Sequence, residues 1–165
     1  MAKRQVFFSF QYEPDNWRAS MVRNMGKVDN SSTFSDNDWE AVRKKRDSAI
    51  KEWIENQMKM RSCIVVLIGS TTSQSKWVKY EIERAYYLNK GIVGIYINKL
   101  EDSNGKQSRE GSNPFYNMTT YNGYRLSNYV ETFQSTYSTS KYVYDDIKNN
   151  IEGLIERSIK KAGSY

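Results

Sequence analysis

Histidine is absent from the 165-residue sequence, which removes the Ser-His-Asp and Cys-His nucleophile systems, any imidazole acid-base pair, and zinc or iron sites with His ligands. Any chemistry must use carboxylates, hydroxyls, lysines or tyrosines. Cysteine occurs once. Cys63 lies inside an apolar run, has no intrachain disulfide partner, and reads as a buried core thiol in a reducing compartment. That run, Cys63-Ile64-Val65-Val66-Leu67-Ile68, is the longest clean apolar stretch and falls far short of the ~20 residues of a bilayer span. The opening Met1-Ala2-Lys3-Arg4-Gln5 lacks a signal peptide's apolar segment and small-residue cleavage site. A cytoplasmic protein is expected.

Glycine is missing where nucleotide-binding classes need it. The first apolar segment ends in Ser9-Phe10-Gln11-Tyr12, with none of the glycines that let a pyrophosphate approach backbone amides in dinucleotide-cofactor folds. No Gly-rich loop ends in Lys-Ser or Lys-Thr, which excludes a P-loop nucleotide triphosphatase, and Gly91-Ile92-Val93-Gly94 reads as a strand with glycine edges. The central run ends Ile68-Gly69-Ser70, where a phosphoryl-accepting receiver domain needs an aspartate.

What is present is a modest positive charge, 25 Lys and Arg against 19 Asp and Glu for +6. It leaves nucleic acid, an acidic lipid surface or a phosphorylated small molecule open as partners. The local cluster Arg43-Lys44-Lys45-Arg46 is bracketed by Glu40 and Asp47 and reads as a solvated helix face. No repeat and no long block of like charge breaks the chain up, and its length suits one domain of about 100–150 residues or slightly more.

Strand-like and helix-like segments alternate. Val6-Phe7-Phe8-Ser9-Phe10 reads as a strand, and Glu13-Pro14-Asp15-Asn16 as a turn that starts a helix over about 16–25. After polar residues 29–38, the positions Trp39, Val42, Ala49, Ile50, Trp53, Ile54 and Met58 form one helical stripe, which predicts a long amphipathic helix. The β-branched run 63–68 predicts a central parallel strand covered on both faces. A helix over 75–89 with the core stripe Val78, Ile82, Ala85 and Tyr86 follows, stopped by Gly91. Residues 92–97 form another apolar strand, and Val143, Ile147, Ile151, Leu154, Ile155 and Ile159 mark a last helix.

This order predicts a doubly wound, flavodoxin-like α/β fold: a mainly parallel sheet with right-handed crossovers and helices on both faces. Ligands bind such sheets at the carboxyl ends of strands where the strand order reverses, which directs attention to Ser9-Phe10-Gln11 and Gly69-Ser70-Thr71. On the helix after the central strand, Trp77 and Glu81 stand four residues apart on one face, and Arg84 and Leu88 continue that stripe. Spacing alone leaves two readings open: a site carboxylate beside an aromatic ring, or a core tryptophan and an exposed glutamate paired with Lys79 or Arg84.

Four stretches carry a resemblance. They are Val6-Phe7-Phe8-Ser9-Phe10 with Trp17-Arg18-Ala19-Ser20-Met21-Val22-Arg23-Asn24 behind it, Val66-Leu67-Ile68-Gly69-Ser70-Thr71-Thr72, Ser75-Lys76-Trp77-Val78-Lys79-Tyr80-Glu81-Ile82, and Gly94-Ile95-Tyr96-Ile97. In this order they resemble the TIR-like domain family, most closely the ThsB proteins of bacterial Thoeris anti-phage systems. The resemblance implies a single TIR-like domain over 1–165, with its core in 5–97 and a Tyr-rich segment and final helix in 114–162. The resemblance is not followed beyond Pro114, and the family's short second strand has no clear counterpart near Lys27-Val28.

TIR enzymes of this kind cleave the nicotinamide-ribose bond of NAD, and some close the product into a cyclic ADP-ribose isomer that signals to a separate effector. By resemblance, Glu81 is the catalytic carboxylate, Ser9 and Phe10 line the substrate, and Ser70 and Trp77 are neighbours. NAD is then substrate rather than cofactor, no metal is called for, and the active form self-associates, commonly with two protomers around one NAD. Neither a membrane nor a nucleic acid is expected as partner.

The missing histidine fits this chemistry. Nicotinamide leaves NAD as a neutral molecule without needing a proton, and one ionised glutamate can stabilise the oxocarbenium ion that develops on the ribose. Water attacking C1 gives ADP-ribose; attack by a group of the same folded molecule gives a ring. The alternative is a non-enzymatic TIR module that acts by homotypic assembly. The tyrosines at 116, 121, 124, 129, 137, 142 and 144 can stack a base or form an interface, but are expected chiefly to cover the last strand and pin the final helix.

Overall fold

The computed structural model describes residues 3–29 and 41–165. Trp39, the first residue of the predicted second-helix stripe, lies outside these residues.

Four parallel strands form the sheet in the order β1 (Val6–Ser9), β2 (Cys63–Ile68), β3 (Gly91–Tyr96) and β4 (Glu131–Phe133), with Val6 opposite Cys63, Cys63 opposite Gly91 and Val93 opposite Glu131. Every residue of β2 is buried, as its unbroken β-branched pattern predicts for a strand covered on both faces. Fully buried Ile64, Leu67 and Ile68 each contribute roughly 1.5–3 kcal/mol of transfer free energy.

Among the described residues four long helices cover the sheet: α1 (Tyr12–Arg23), α2 (Asp47–Met58), α3 (Lys76–Tyr87) and α4 (Ser140–Lys161). Helices α1 and α4 pack together on one face, and α2 and α3 on the other. Consecutive helices α1 and α2 therefore lie on opposite faces, which is the doubly wound arrangement. After α1, beside β1 at the edge of the sheet, the Asp29 N–H donates to the Arg4 carbonyl at 3.0 Å. That is where a second strand of such a sheet lies; among the described residues none is formed there.

Several boundaries differ from the sequence expectation for identifiable reasons. Helix α1 begins at Tyr12 rather than near 16, because Pro14 sits in the first turn, where backbone N–H groups have no intrahelical partner to lose. The long second helix is two pieces. Residues 41–43 are helical, 44–46 are not, and α2 starts at Asp47. Four consecutive cations precede that start, and the Asp47 carboxylate favours a new helix N-terminus there.

Helix α3 ends at Tyr87, and the residue that terminates it is Asn89, not Gly91. Asn89 takes the left-handed conformation, φ 55°, while Lys90 N donates to Ala85 O at 2.9 Å and Asn89 N to Tyr86 O at 3.2 Å, a Schellman ending. Gly91 opens β3, where a Cβ would stand 2.6 Å from Ser158 Oγ of α4. Its glycine lets α4 pack directly on the strand backbone.

Cys63 is buried against the same helix, its Sγ 3.0 Å from Ser158 Oγ. Burial pushes its thiol up to about 12, with the Ser158 hydroxyl opposing. The native protein is therefore expected to resist maleimide at pH 7.5 and to take up one equivalent once unfolded in guanidinium. Mass spectrometry checks this directly.

Two features of the C-terminal third were not expected. Strand β4 has three half-buried residues and no apolar run. The tyrosines expected to cover the last predicted strand, 92–97, are mostly exposed: Tyr116, Tyr121, Tyr124, Tyr129, Tyr137 and Tyr142 face solvent, and several pack on other tyrosines, Tyr121 on Tyr86 at 5.1 Å and Tyr129 on Tyr165 at 5.9 Å. Tyr144 alone of the seven packs against the core. Among the described residues no helix is long and apolar enough to cross a membrane.

Candidate active site

The carboxyl ends of β1 and β2 are joined by their own loops. Thr71 donates its hydroxyl to the Gln11 side-chain oxygen, and Gly69 N donates to Thr72 Oγ1 at 2.7 Å, closing a tight turn before the 3₁₀ segment Thr72–Gln74. Ser75 then caps α3, its hydroxyl accepting from Val78 N at 3.3 Å. From that fixed start the helical period turns Val78, Glu81, Ile82 and Ala85 inward.

Glu81 is the polar member of this stripe, and it is completely buried. Ser9 Oγ, at the end of β1, donates to its Oε1 at 2.7 Å, and Oε2 has no partner. Burial raises its pKa to about 8 against the lowering effect of the Ser9 hydrogen bond, so near neutral pH the carboxyl is held largely as the neutral acid. The exposed-glutamate reading does not hold: Arg84 pairs with Glu55, and Glu81 faces the core.

Beside this pair lies a cleft of about 200 Å³ lined by Phe10, Gln11, Tyr12, Glu13, Arg43, Ser75 and Trp77. Phe10 stacks with Tyr12 at 6.5 Å; Trp77 meets Tyr80 edge-on at 6.0 Å. Of the five residues nominated from sequence, Phe10 and Trp77 line the cleft. Ser9 and Glu81 are bonded to each other, one residue back from Phe10 and one turn on from Trp77, and do not line it. Ser70 lies apart from the cleft, its carbonyl 2.9 Å from where a Cβ on Gly111 would stand. Sequence reasoning missed Arg43, which it placed on a solvated helix face; nothing in a run of four cations distinguishes its first member.

A second buried acid braces the site from the other face of the sheet. Asp15 is fully buried and accepts from Arg18 Nη1 at 3.0 Å, while its Oδ2 has no hydrogen-bond partner. A Cβ on Gly69 would stand 2.0 Å from that oxygen, so only glycine fits. Arg18 also donates to Leu100 O and Lys106 O, both at 2.7 Å. One guanidinium thus ties α1 to the loop after β3, and Asp15 seats the end of β2.

This arrangement sits within a recognisable sequence span. Residues 7–102 match the family described as Thoeris protein ThsB, TIR-like domain. The chain belongs to this family. A protein of Bacillus cereus (strain MSX-D12), named "Putative cyclic ADP-D-ribose synthase ThsB1", is 39% identical over 132 residues, covering 77% of this chain and 66% of that relative. The chain therefore spans just under two thirds of that protein's length. The ThsB match runs from Phe7 in β1 through α1, α2, β2, α3 and β3, and takes in every residue that lines the cleft and both buried acids. The tyrosine-rich segment and β4 lie beyond it.

Proposed function

We propose that this ThsB-family domain is an enzyme that cleaves the nicotinamide-ribose bond of NAD and closes the remaining ADP-ribose into a cyclic isomer, a diffusible signal for a separate effector in anti-phage defence. The observation that carries the reading is Glu81: a buried carboxylate held against the carboxyl end of β1, one oxygen bonded by Ser9, the other without a hydrogen-bond partner, and no cation among the described residues paired with it. The name of the B. cereus relative supports the same chemistry.

Glu81 acts by charge. As the bond to nicotinamide lengthens, positive charge develops on the ribose, and a carboxylate beside it lowers the barrier in a water-poor site. In the structure Glu81 is sealed and burial raises its pKa to about 8, so catalysis requires the site to open and the acid to ionise. Phe10 and Trp77 must part enough to admit the nicotinamide riboside, and the pyridinium charge then favours ionisation of the acid. Phe10 and Trp77 supply flat apolar faces for the nicotinamide ring, and Ser9 orients the carboxylate. A nitrogen or hydroxyl of the same molecule attacks C1, loses its proton to solvent, and leaves a cyclic product and free nicotinamide. NAD is the substrate, no further cofactor is needed, and self-association in the cytoplasm completes the active form. Ser70, at the end of β2 and apart from the cleft, takes no part in this step.

The test is incubation with NAD, with and without lysate from phage-infected cells, followed by chromatography with mass detection. Nicotinamide should appear together with a product one water lighter than ADP-ribose. ADP-ribose itself would mean hydrolysis, and no turnover in either condition would favour a non-enzymatic assembly module.

A further inference from the structure

Among the described residues lining the cleft, Arg43 is the sole cation and Glu13 the sole acid. The two are ion-paired, and the Arg43 guanidinium lies over the Tyr12 ring with its carbon 4.6 Å from the centroid. The partners differ in how they are held. The Glu13 side chain is 74% exposed and makes a pair of the kind that contributes little in water. Arg43 is 32% exposed and is positioned by an aromatic face as well as by charge. A planar guanidinium held in this way presents paired N–H donors that match a phosphate as well as a carboxylate.

The remaining cleft groups assign no other anion anchor. The Ser75 hydroxyl is engaged in capping α3, and the nearby Lys76 pairs with Asp47 and stands over Trp77 outside the lining. The aromatic rings of Phe10, Tyr12 and Trp77 suit a flat heterocycle, which leaves a negatively charged part of a ligand to Arg43.

We propose that Arg43 is the anion anchor of this cleft: on ligand entry its guanidinium exchanges the Glu13 carboxylate for the diphosphate of a dinucleotide. The identity of the dinucleotide as NAD rests on the function proposed above; the anchoring of a diphosphate does not. Glu13 then acts as an internal competitor, occupying the guanidinium while the cleft is empty and swinging into solvent when a phosphate arrives.

Inorganic pyrophosphate and ADP are the probes, titrated by calorimetry against the wild-type chain, Arg43→Gln, Arg43→Lys and Glu13→Gln. Arg43→Gln should weaken both ligands about 10- to 100-fold, as expected for loss of a charge-assisted contact. Arg43→Lys should fall in between, because it keeps the charge but not the fork. Glu13→Gln should tighten binding a few-fold, since the competitor is gone. A structural ion pair predicts the reverse pattern: both neutral variants lose melting temperature alike and neither changes affinity.

If the four proteins bind pyrophosphate and ADP equally, or none binds either, the anchor is overturned. In the NAD assay, Arg43→Gln should raise KM about tenfold with kcat little changed. An absence of NAD turnover alongside Arg43-dependent pyrophosphate binding would remove the NAD reading and leave the anchor standing.

Discussion

Glu81→Gln is expected to abolish nicotinamide release, by about 10²- to 10³-fold or more, while making the folded protein more stable at alkaline pH. The loss of turnover follows from replacing the one charge available to the developing oxocarbenium ion with a neutral amide of nearly the same shape. The gain in stability follows from the direction of the pKa shift. In the folded state Glu81 titrates near 8, and in the unfolded chain near its ordinary value of 4.5, so between those limits the native state binds more protons than the unfolded one.

Stability from this group is therefore fully present below about pH 4.5 and is lost as pH rises through about 8. The loss amounts to a few kcal/mol for a shift of this size. Glutamine carries no such slope. Melting curves of the two proteins should nearly coincide at pH 5 and separate progressively toward pH 9, with the variant higher. Parallel curves at every pH would show that Glu81 is already ionised in the fold. A variant less stable throughout would show instead that the carboxylate is a packing element.

The second large effect is expected at Arg18. Arg18→Met removes a guanidinium that is almost fully buried and bonded to Asp15, Leu100 O and Lys106 O. It leaves the Asp15 carboxylate buried without a cation, a change that typically costs about 3–5 kcal/mol. Against the usual stability of about 5–15 kcal/mol, the melting temperature should fall on the order of 10 °C. Asp15→Asn in the Arg18→Met background should recover part of the loss, because the stranded charge is then gone. Urea unfolding of the two single variants and the double variant measures that coupling. Additive losses would mean that the pair does not act as a unit.

How far the sequence reached depended on how much of each feature was local. Strands β2 and β3 were legible because each is an unbroken apolar run, and α4 because its buried residues repeat at the helical period over its whole length. Strand β4 was not, because Glu131–Phe133 has no apolar pattern and is a strand only by pairing with β3. The break at 44–46 was hidden by a hydrophobic stripe that carries through it in phase. At the site, the spacing of Trp77 and Glu81 placed them on one face, and the family resemblance singled out Glu81. Its hydrogen bond to Ser9 spans 72 positions of sequence, and the Arg43 pairing with Glu13 spans 30. Such long-range pairings leave no periodic trace.

The close fit around Gly69 bears on how the cleft can open. One side of this residue lies against the Asp15 carboxylate, and its carbonyl stands 2.1 Å from the Cβ position of Gly111 on the other side. The exit of β2 is wedged between the Gly111 backbone and a pinned side chain, which leaves little room for a hinge there. In the mechanism proposed above, the movement that uncovers Glu81 would then fall to the other wall of the site, the Phe10–Tyr12 loop or the first turn of α3. On that reading the gate works against a fixed post, and substitutions that enlarge Gly69 or Gly111 should loosen the post rather than the gate.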